Sequence, residues 1–136
     1  MERSSLLDSF QGGGGCACNN VRFEIDGPIY GIGNCHCSMC RRIHGTAYAT
    51  YVELDSSTMS WSKTKSNLTI RVSSEDVQRG YCSICGSPIS YAHRNFPGRI
   101  WIAAGVFDDD IPVLPQYHMF VGSKAPWFEI SDDAPQ

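Results

Sequence analysis

Short alternations of apolar and polar residues, interrupted by glycine, proline and aspartate, run along most of the 136-residue chain. Residues 21–25 (Val-Arg-Phe-Glu-Ile) alternate with the period of two expected of a half-buried β-strand. Segment 38–43 is the best helix candidate, with Ser38 as its cap and Gly45 as its end. Further strands are predicted at 29–32, 48–54, 59–61, 68–72, 77–81, 89–92, 100–104 and 117–121. The pattern therefore predicts a mostly β fold of short strands with one short helix.

The length of the chain predicts a single small domain, placed at residues 12–136. Residues 1–11 carry little pattern and are expected to be disordered or loosely packed. The four glycines at 12–15 are typical of a flexible linker, although glycine also permits a close approach of the backbone to a metal. The N-terminus has no apolar run long enough for a signal peptide, and no stretch approaches the length of a membrane span. A cytoplasmic protein with no membrane partner is expected.

The charge of the chain limits its partners. The formal net charge is −3, whereas nucleic-acid-binding proteins usually carry a basic patch, and Arg41-Arg42 is too short to form one. The three aspartates at 108–110 are expected to form a solvated turn, because no spaced oxygen ligands for calcium surround them. No nucleic-acid partner is expected, and nothing in the pattern indicates an oligomeric state.

Seven cysteines carry most of the chemical information in the chain. A disulfide framework is disfavoured, because an odd count leaves one thiol over and C-x-C neighbours can bridge only through a strained ring. Zinc binding is favoured instead, since such spacings let thiolates share one tetrahedral ion. The cysteines divide into a four-cysteine cluster (Cys16, Cys18, Cys82 and Cys85) and a three-cysteine cluster (Cys35, Cys37 and Cys40).

This division follows from counting ligands. Tetrahedral zinc takes four, and the C-x-x-C pair of the four-cysteine cluster supplies only two, so the isolated C-x-C pair near the N-terminus is the natural source of the others. The remaining three cysteines lie within six residues and can bind one ion together. We therefore predict two zinc ions per chain, one in a closed structural site and one with an open coordination position.

Closure of the three-cysteine cluster by a histidine is the alternative. His44 follows Cys40 by four residues, one helical turn, so a structural site of three cysteines and one histidine is geometrically possible. His36 is expected to point away, because the cysteines on either side of it turn inward. An open position would instead suit a soft ligand such as a substrate thiol, which loses its proton on coordination.

Several segments together form a specific pattern: Gly-Gly-Cys-x-Cys with Val-Arg-Phe at 14–23, Cys-His-Cys-x-x-Cys-Arg-Arg-x-His-Gly at 35–45, Tyr-Cys-x-x-Cys-Gly-Ser-Pro-Ile at 81–89, Ala-Gly-Val-Phe-Asp at 104–108, and His118 with Ser-Lys-Ala-Pro-Trp at 123–127. This pattern resembles the glutathione-dependent formaldehyde-activating enzyme family, which also includes centromere protein V. The resemblance covers nearly the whole chain, about residues 12–135.

The resemblance implies a β-tent zinc fold, shared with Rab-binding zinc chaperones. It also implies a structural zinc on the four-cysteine cluster and a catalytic zinc on the three-cysteine cluster. The activity it implies is condensation of glutathione with formaldehyde to S-hydroxymethylglutathione, formally a carbon–sulfur lyase reaction run in reverse. The implied partners are therefore a small thiol and an aldehyde.

Four polar residues are candidates for a role beside the three-cysteine cluster. Arg41 and Arg42 flank it and could clamp a substrate carboxylate, or they could be exposed arginines on a short helix. His44 and His118 are candidates for proton transfer, although a packed structural histidine is the alternative for each.

Two other functions stay open beside the lyase. One is a non-catalytic, zinc-stapled binding module, which would present a sizeable exposed apolar patch. The other is a thiol redox or metal sensor, in which the three-cysteine cluster oxidises and releases zinc.

Overall fold

A computed structural model describes residues 4–62 and 67–136 of the protein. Within these residues the chain forms ten strands and one α-helix, so the predicted mostly β class is confirmed. Their bounds are β1 Leu7–Gly15, β2 Arg22–Ile29, β3 Gly31–Cys35, α1 Ser38–His44, β4 Ala49–Asp55, β5 Met59–Trp61, β6 Leu68–Ser74, β7 Val77–Cys82, β8 Pro88–His93, β9 Arg99–Ala103 and β10 His118–Met119. Short 3-10 turns lie at Ser56–Thr58, Ala104–Val106 and Val121–Ser123.

The strands form two sheets. The smaller has the order β1-β2-β5, and the larger has the order β10-β3-β4-β9-β8-β7-β6. Neighbouring strands pair antiparallel, except that β10 runs parallel to β3. One apolar core takes side chains from both sheets, including Phe23 and Ile25 of β2, Val52 and Leu54 of β4 and Ile102 of β9. Burial of this shared core holds the two sheets together.

The N-terminal segment is more ordered than the sequence predicts. Residues 7–15 form strand β1, paired with β2 from Leu7 to Gly15, and Phe10 is buried in the core. The expectation of a loose segment at 1–11 is therefore wrong for residues 7–11, while 1–3 lie outside the described residues. The cause is tertiary pairing, which local composition does not reveal.

The glycine run at 12–15 is likewise part of β1 and not a linker. Gly14 forms a bridge with Phe107, and a Cβ on Gly14 would overlap the carbonyl oxygen of Val106. Glycine is required here because another segment of backbone approaches the strand closely. The close approach at Gly14 is thus to the 104–107 segment of the chain.

Helix α1 starts at Ser38, where the predicted segment starts, but its N-cap is Cys37 and not Ser38. Cys37 is extended (ψ 152°) and is the N-cap, its Sγ accepting a hydrogen bond from the N–H of Cys40 at 3.3 Å. Ser38 is already helical, so it cannot be the cap. Gly45 ends the helix as predicted, with φ of 65° and its N–H bonded to the Arg41 carbonyl at 2.8 Å. The cap thus places two cysteines of the three-cysteine cluster against each other.

Among the described residues, no helix has the length and apolar character needed to span a membrane.

Candidate metal and substrate site

The four-cysteine cluster forms where strands of the two sheets end. Cys16 directly follows β1 and Cys82 ends β7, and all four sulfurs lie within 4.8 Å of one another. The Sγ–Sγ distance is 3.5 Å from Cys16 to Cys18 and 3.7 Å from Cys18 to Cys82. Tetrahedral zinc with Zn–S bonds of about 2.3 Å places its sulfurs roughly 3.8 Å apart. The arrangement therefore fits a closed zinc site.

Backbone amides of the four-cysteine cluster point at its sulfurs. The N–H of Val21 donates to Cys16 Sγ at 3.2 Å, and those of Ile84 and Cys85 donate to Cys82 Sγ at 3.4 and 3.5 Å. Gly86 has a φ of 81°, as expected of a glycine that closes a zinc knuckle. Amides directed at sulfur favour the thiolate form, which is the form that binds metal.

The three-cysteine cluster is built around the start of α1. Cys35 is the last residue of β3, Cys37 caps the helix and Cys40 lies in its first turn. The three sulfurs lie within 4.8 Å of one another, and among the residues described no histidine or carboxylate joins them in a possible metal group. Cys35 and Cys40 are buried, whereas Cys37 is partly exposed. The three sulfurs therefore fit one metal ion, and the group supplies three ligands, which is one fewer than tetrahedral zinc takes.

Arg79 is a buried cation against this cluster, and sequence reasoning missed it. Its guanidinium donates to Cys40 Sγ at 3.5 Å, to the Tyr51 hydroxyl at 2.9 Å and to Ser73 Oγ at 3.1 Å. It also lies over the ring of Tyr91, 5.0 Å from the centroid. The hydrogen bonds with Cys35 and Arg79 lower the pKa of the Cys40 thiol, against the effect of burial.

A signal for Arg79 was present in the sequence. Arg79 lies in the middle of β7, where its side chain alternates onto the same face of the strand as those of Val77 and Tyr81. An arginine at an apolar phase position indicates a buried charge with a dedicated partner. Which partner it has depends on sheet pairing that the local sequence does not show.

The side chain of Tyr51 separates His44 from the three-cysteine cluster. Nε2 of His44 is 2.8 Å from the Tyr51 hydroxyl, which also contacts Arg79. Burial, reinforced by the charge of Arg79, lowers the pKa of His44 to about 4. The imidazole is therefore neutral near pH 7, and the Tyr51 hydroxyl can donate to it while accepting from Arg79.

A cavity of about 500 Å³ opens onto the three-cysteine cluster. One wall is a row of register partners across four strands, Glu53, Trp101, Tyr91 and Arg79. Tyr51 stands beside this row. Each of these side chains points into the cavity because directly paired residues share a face of the sheet.

The two arginines predicted to flank the site do not line this cavity. Arg41 is half-buried, and its Nε has no hydrogen-bond partner. Arg42 is exposed on the surface of α1. Two other residues of the same helix, Met39 and Cys40, do line the cavity.

His118 also lies away from the cavity, on β10 beside β3, where its buried ring joins His36 to the exposed Asp132. Its Nδ1 is 2.8 Å from Nε2 of His36, and its Nε2 is 2.9 Å from a carboxylate oxygen of Asp132. The ring of His36 is fully buried and packs against Tyr48 and Phe128. These contacts turn His36 away from the cysteines beside it and tie the C-terminal segment to β3.

Comparison with known proteins gives three findings. The family model "Glutathione-dependent formaldehyde-activating enzyme" matches residues 11–123. A Halomonas elongata protein named "Putative glutathione-dependent formaldehyde-activating enzyme" is 27% identical over 124 residues, which cover 86% of this chain and 79% of that protein. A crystal structure of a Rhodobacter sphaeroides protein shares the fold, with a TM-score of 0.60 and 22% identity over 74% of this chain and 91% of that one. Because the family model spans most of the sequence, the chain belongs to the glutathione-dependent formaldehyde-activating enzyme family.

Proposed function

We propose that this protein is a zinc-dependent carbon–sulfur lyase that joins a small thiol to formaldehyde, and splits the adduct in reverse. The observation that carries the proposal is the three-cysteine cluster itself: three thiols converge at a cavity of about 500 Å³. Family membership supports the same reaction, with glutathione as the thiol that the family name gives. In this proposal the protein holds two zinc ions, one in each cysteine cluster, and acts in the cytoplasm, where thiols stay reduced.

Cys35, Cys37 and Cys40 would hold the zinc ion, which would offer its fourth position to an incoming thiol and lower the pKa of that thiol. In the condensation a carbon–sulfur bond forms, the carbonyl π bond breaks, and the thiol proton finishes on the former carbonyl oxygen. The reaction needs no oxidant or reductant. Splitting the adduct returns the proton to sulfur.

The residues around the cluster take three roles in this proposal. Arg79 donates to Cys40 and places a positive charge beside a thiolate-rich centre. The Tyr51 hydroxyl lines the cavity, where it can hydrogen-bond the oxygen of the aldehyde or the adduct. His44 is positioned to exchange a proton with Tyr51. Arg41 and Arg42 lie outside the cavity and would not touch a substrate bound there.

The first test is a titration of cobalt-substituted protein with glutathione and simpler thiols, followed by the visible spectrum of the metal. A saturable change that disappears in Cys37→Ser is expected if exogenous thiol enters the three-cysteine site. The exchange of ¹³C-formaldehyde with its thiol adduct, measured by NMR above the spontaneous rate, then tests turnover. Two bound ions with no spectral response to any thiol would contradict the lyase and favour a zinc-stapled binding module.

A further inference from the structure

The cavity over the three-cysteine cluster is lined mainly by large apolar side chains. Eight of the lining residues are aromatic residues or methionines, among them Met39, Tyr91, Phe96, Trp101, Met119 and Phe120. Four of these eight are also among the most exposed large apolar residues in the described part of the chain, at 37–66% exposure. Apolar side chains that converge on one mouth mark a binding surface for an apolar group.

The charged groups in this cavity are already engaged. Arg79 is bonded to Ser73, Tyr51 and Cys40, and its charge faces the thiols. Glu53 is buried with its carboxylate 3.7 Å from Nε of Arg99. Glutathione carries two carboxylates and one ammonium group, and the described lining residues offer these carboxylates only Arg79 as a cationic side chain.

The backbone at the mouth of the cavity adds a second observation. Phe120 has a φ of 57°, in the left-handed region that disfavours any residue with a bulky side chain. Phe120 is nevertheless 66% exposed at the cavity rim, so its side chain gains little from packing in the core. The strained position is held by the bonds from His36 N–H to the Met119 carbonyl and from Ser123 N–H to the Phe120 carbonyl. The exposed ring at this strained position is therefore a candidate contact for a bound substrate.

We propose that the preferred thiol of this protein has an apolar, alkyl or aromatic, body in place of the charged backbone of glutathione. This inference rests on the lyase function proposed above and specifies its substrate class. The thiol sulfur reaches the three-cysteine cluster, and the apolar body lies along Tyr91, Trp101 and Phe96. The product is the S-hydroxymethyl derivative of that thiol, formed by the same bond changes as above.

The test is a homologous series of thiols in the ¹³C-formaldehyde exchange assay: ethanethiol, butanethiol and hexanethiol, with 3-mercaptopropionate and glutathione as charged comparators. The thiol acidity changes little along the alkyl series, so differences report on contact with the cavity. Each methylene group that is fully buried should raise kcat/KM by about fourfold. Hexanethiol should therefore exceed ethanethiol by on the order of 100-fold, and butanethiol should exceed 3-mercaptopropionate by at least about tenfold.

Two variants show where the apolar body binds. Phe96→Ala removes a half-exposed ring at the rim and should flatten the alkyl series, so that the ratio of hexanethiol to ethanethiol turnover falls. Leu114→Ala is the matched control, since Leu114 is 83% exposed and does not line the cavity. It should leave the series unchanged.

The outcomes separate this inference from the function on which it rests. A rising alkyl series that flattens in Phe96→Ala supports the apolar thiol. Turnover of glutathione equal to or above that of hexanethiol, with no effect of Phe96→Ala, would overturn it and leave the lyase function intact. Absence of exchange with every thiol would refute the lyase, and the substrate class with it.

Discussion

Replacing Arg79 by methionine tests how the buried arginine supports the three-cysteine cluster. Methionine keeps much of the volume of the side chain and removes its charge and its hydrogen bonds. The change leaves the Tyr51 hydroxyl and Cys40 Sγ without their donor, in an environment where Arg79 itself is only 6% exposed. Ser73 also loses its bond but lies closer to solvent.

The magnitude follows from these contacts. A hydrogen bond from a charged donor contributes about 1.5–3 kcal/mol, and a buried group left unpaired costs about 1–3 kcal/mol. Removing one partner of a buried charged pair typically costs about 3–5 kcal/mol in total. We expect Arg79→Met to lower the free energy of unfolding by about 3–5 kcal/mol, a large part of the roughly 5–15 kcal/mol of a typical domain. It should also weaken zinc binding at the three-cysteine cluster, because that site with its ion carries a net negative charge that Arg79 balances.

Denaturant unfolding and metal analysis measure the two effects separately. Arg79→Lys keeps the positive charge but not the planar guanidinium with its several donors. Compared with Arg79→Met, it should recover most of the zinc content but less of the free energy of unfolding. Arg42→Met is the control, because Arg42 is exposed on α1 and lies outside the cavity. Arg79→Met with wild-type zinc content, or with stability within about 1 kcal/mol of wild type, would show that these contacts are not important for the site.

Three further predictions concern the metal, pH and backbone packing. Cys82→Ser should give unfolded or insoluble protein, whereas Cys37→Ser should stay folded with about one zinc ion fewer. Circular dichroism and metal analysis measure both effects. A Cys82→Ser protein that folds cooperatively with wild-type stability would show that the four-cysteine cluster has no structural role. The pKa of His44 is about 4 in the folded protein, below its ordinary 6.5, so its neutral form stabilises the fold fully above pH 6.5 and this contribution is lost as the pH falls toward 4. Between pH 7.5 and 5 the wild type should therefore lose about 2 kcal/mol more stability than His44→Gln, which does not titrate; parallel pH profiles would contradict the shifted pKa. Gly14→Ala should lower the free energy of unfolding by at least about 2 kcal/mol, because the new methyl group meets a backbone carbonyl. Gly105→Ala is the control: outside the local backbone, no atom of the described residues lies within 4 Å of the new carbon, so its thermal unfolding should match the wild type closely.

Features that depend on short sequence separations were predictable. The strands at 59–61 and 77–81 coincide with β5 and with β7 to within a residue, because alternation is a local signal. The same holds for Gly45 at the end of α1, where a left-handed residue is needed. The two groups of cysteines follow from counting ligands at short spacings, and the structure brings the same groups together.

Features that depend on pairing between distant strands were not predictable in this way. The pairing of Leu7–Gly15 with β2 converts an apparently weak glycine-rich segment into a full strand. Arg79 reaches the three-cysteine cluster through the register of four strands, which sets it in one row with Tyr91, Trp101 and Glu53. The local sequence contains each residue but not the register, and the register decides which side chains share a cavity.

The two cysteine clusters differ in how they are tied to the fold, and this difference allows one to be structural and the other chemical. The four-cysteine cluster joins the end of β1 in the small sheet to the end of β7 in the large one, and its Cys18 and Cys82 are 64 residues apart. If closure of such a loop is treated as a cross-link, it removes about 4 kcal/mol of unfolded-state entropy, so an ion there acts on the whole domain. The three-cysteine cluster spans six residues of one chain segment and closes no long loop. Its surroundings are instead a buried cation and an apolar cavity, to which the proposed function assigns binding and reactivity. Loss of the first metal should therefore unfold the protein, and loss of the second should remove its proposed activity from a protein that remains folded.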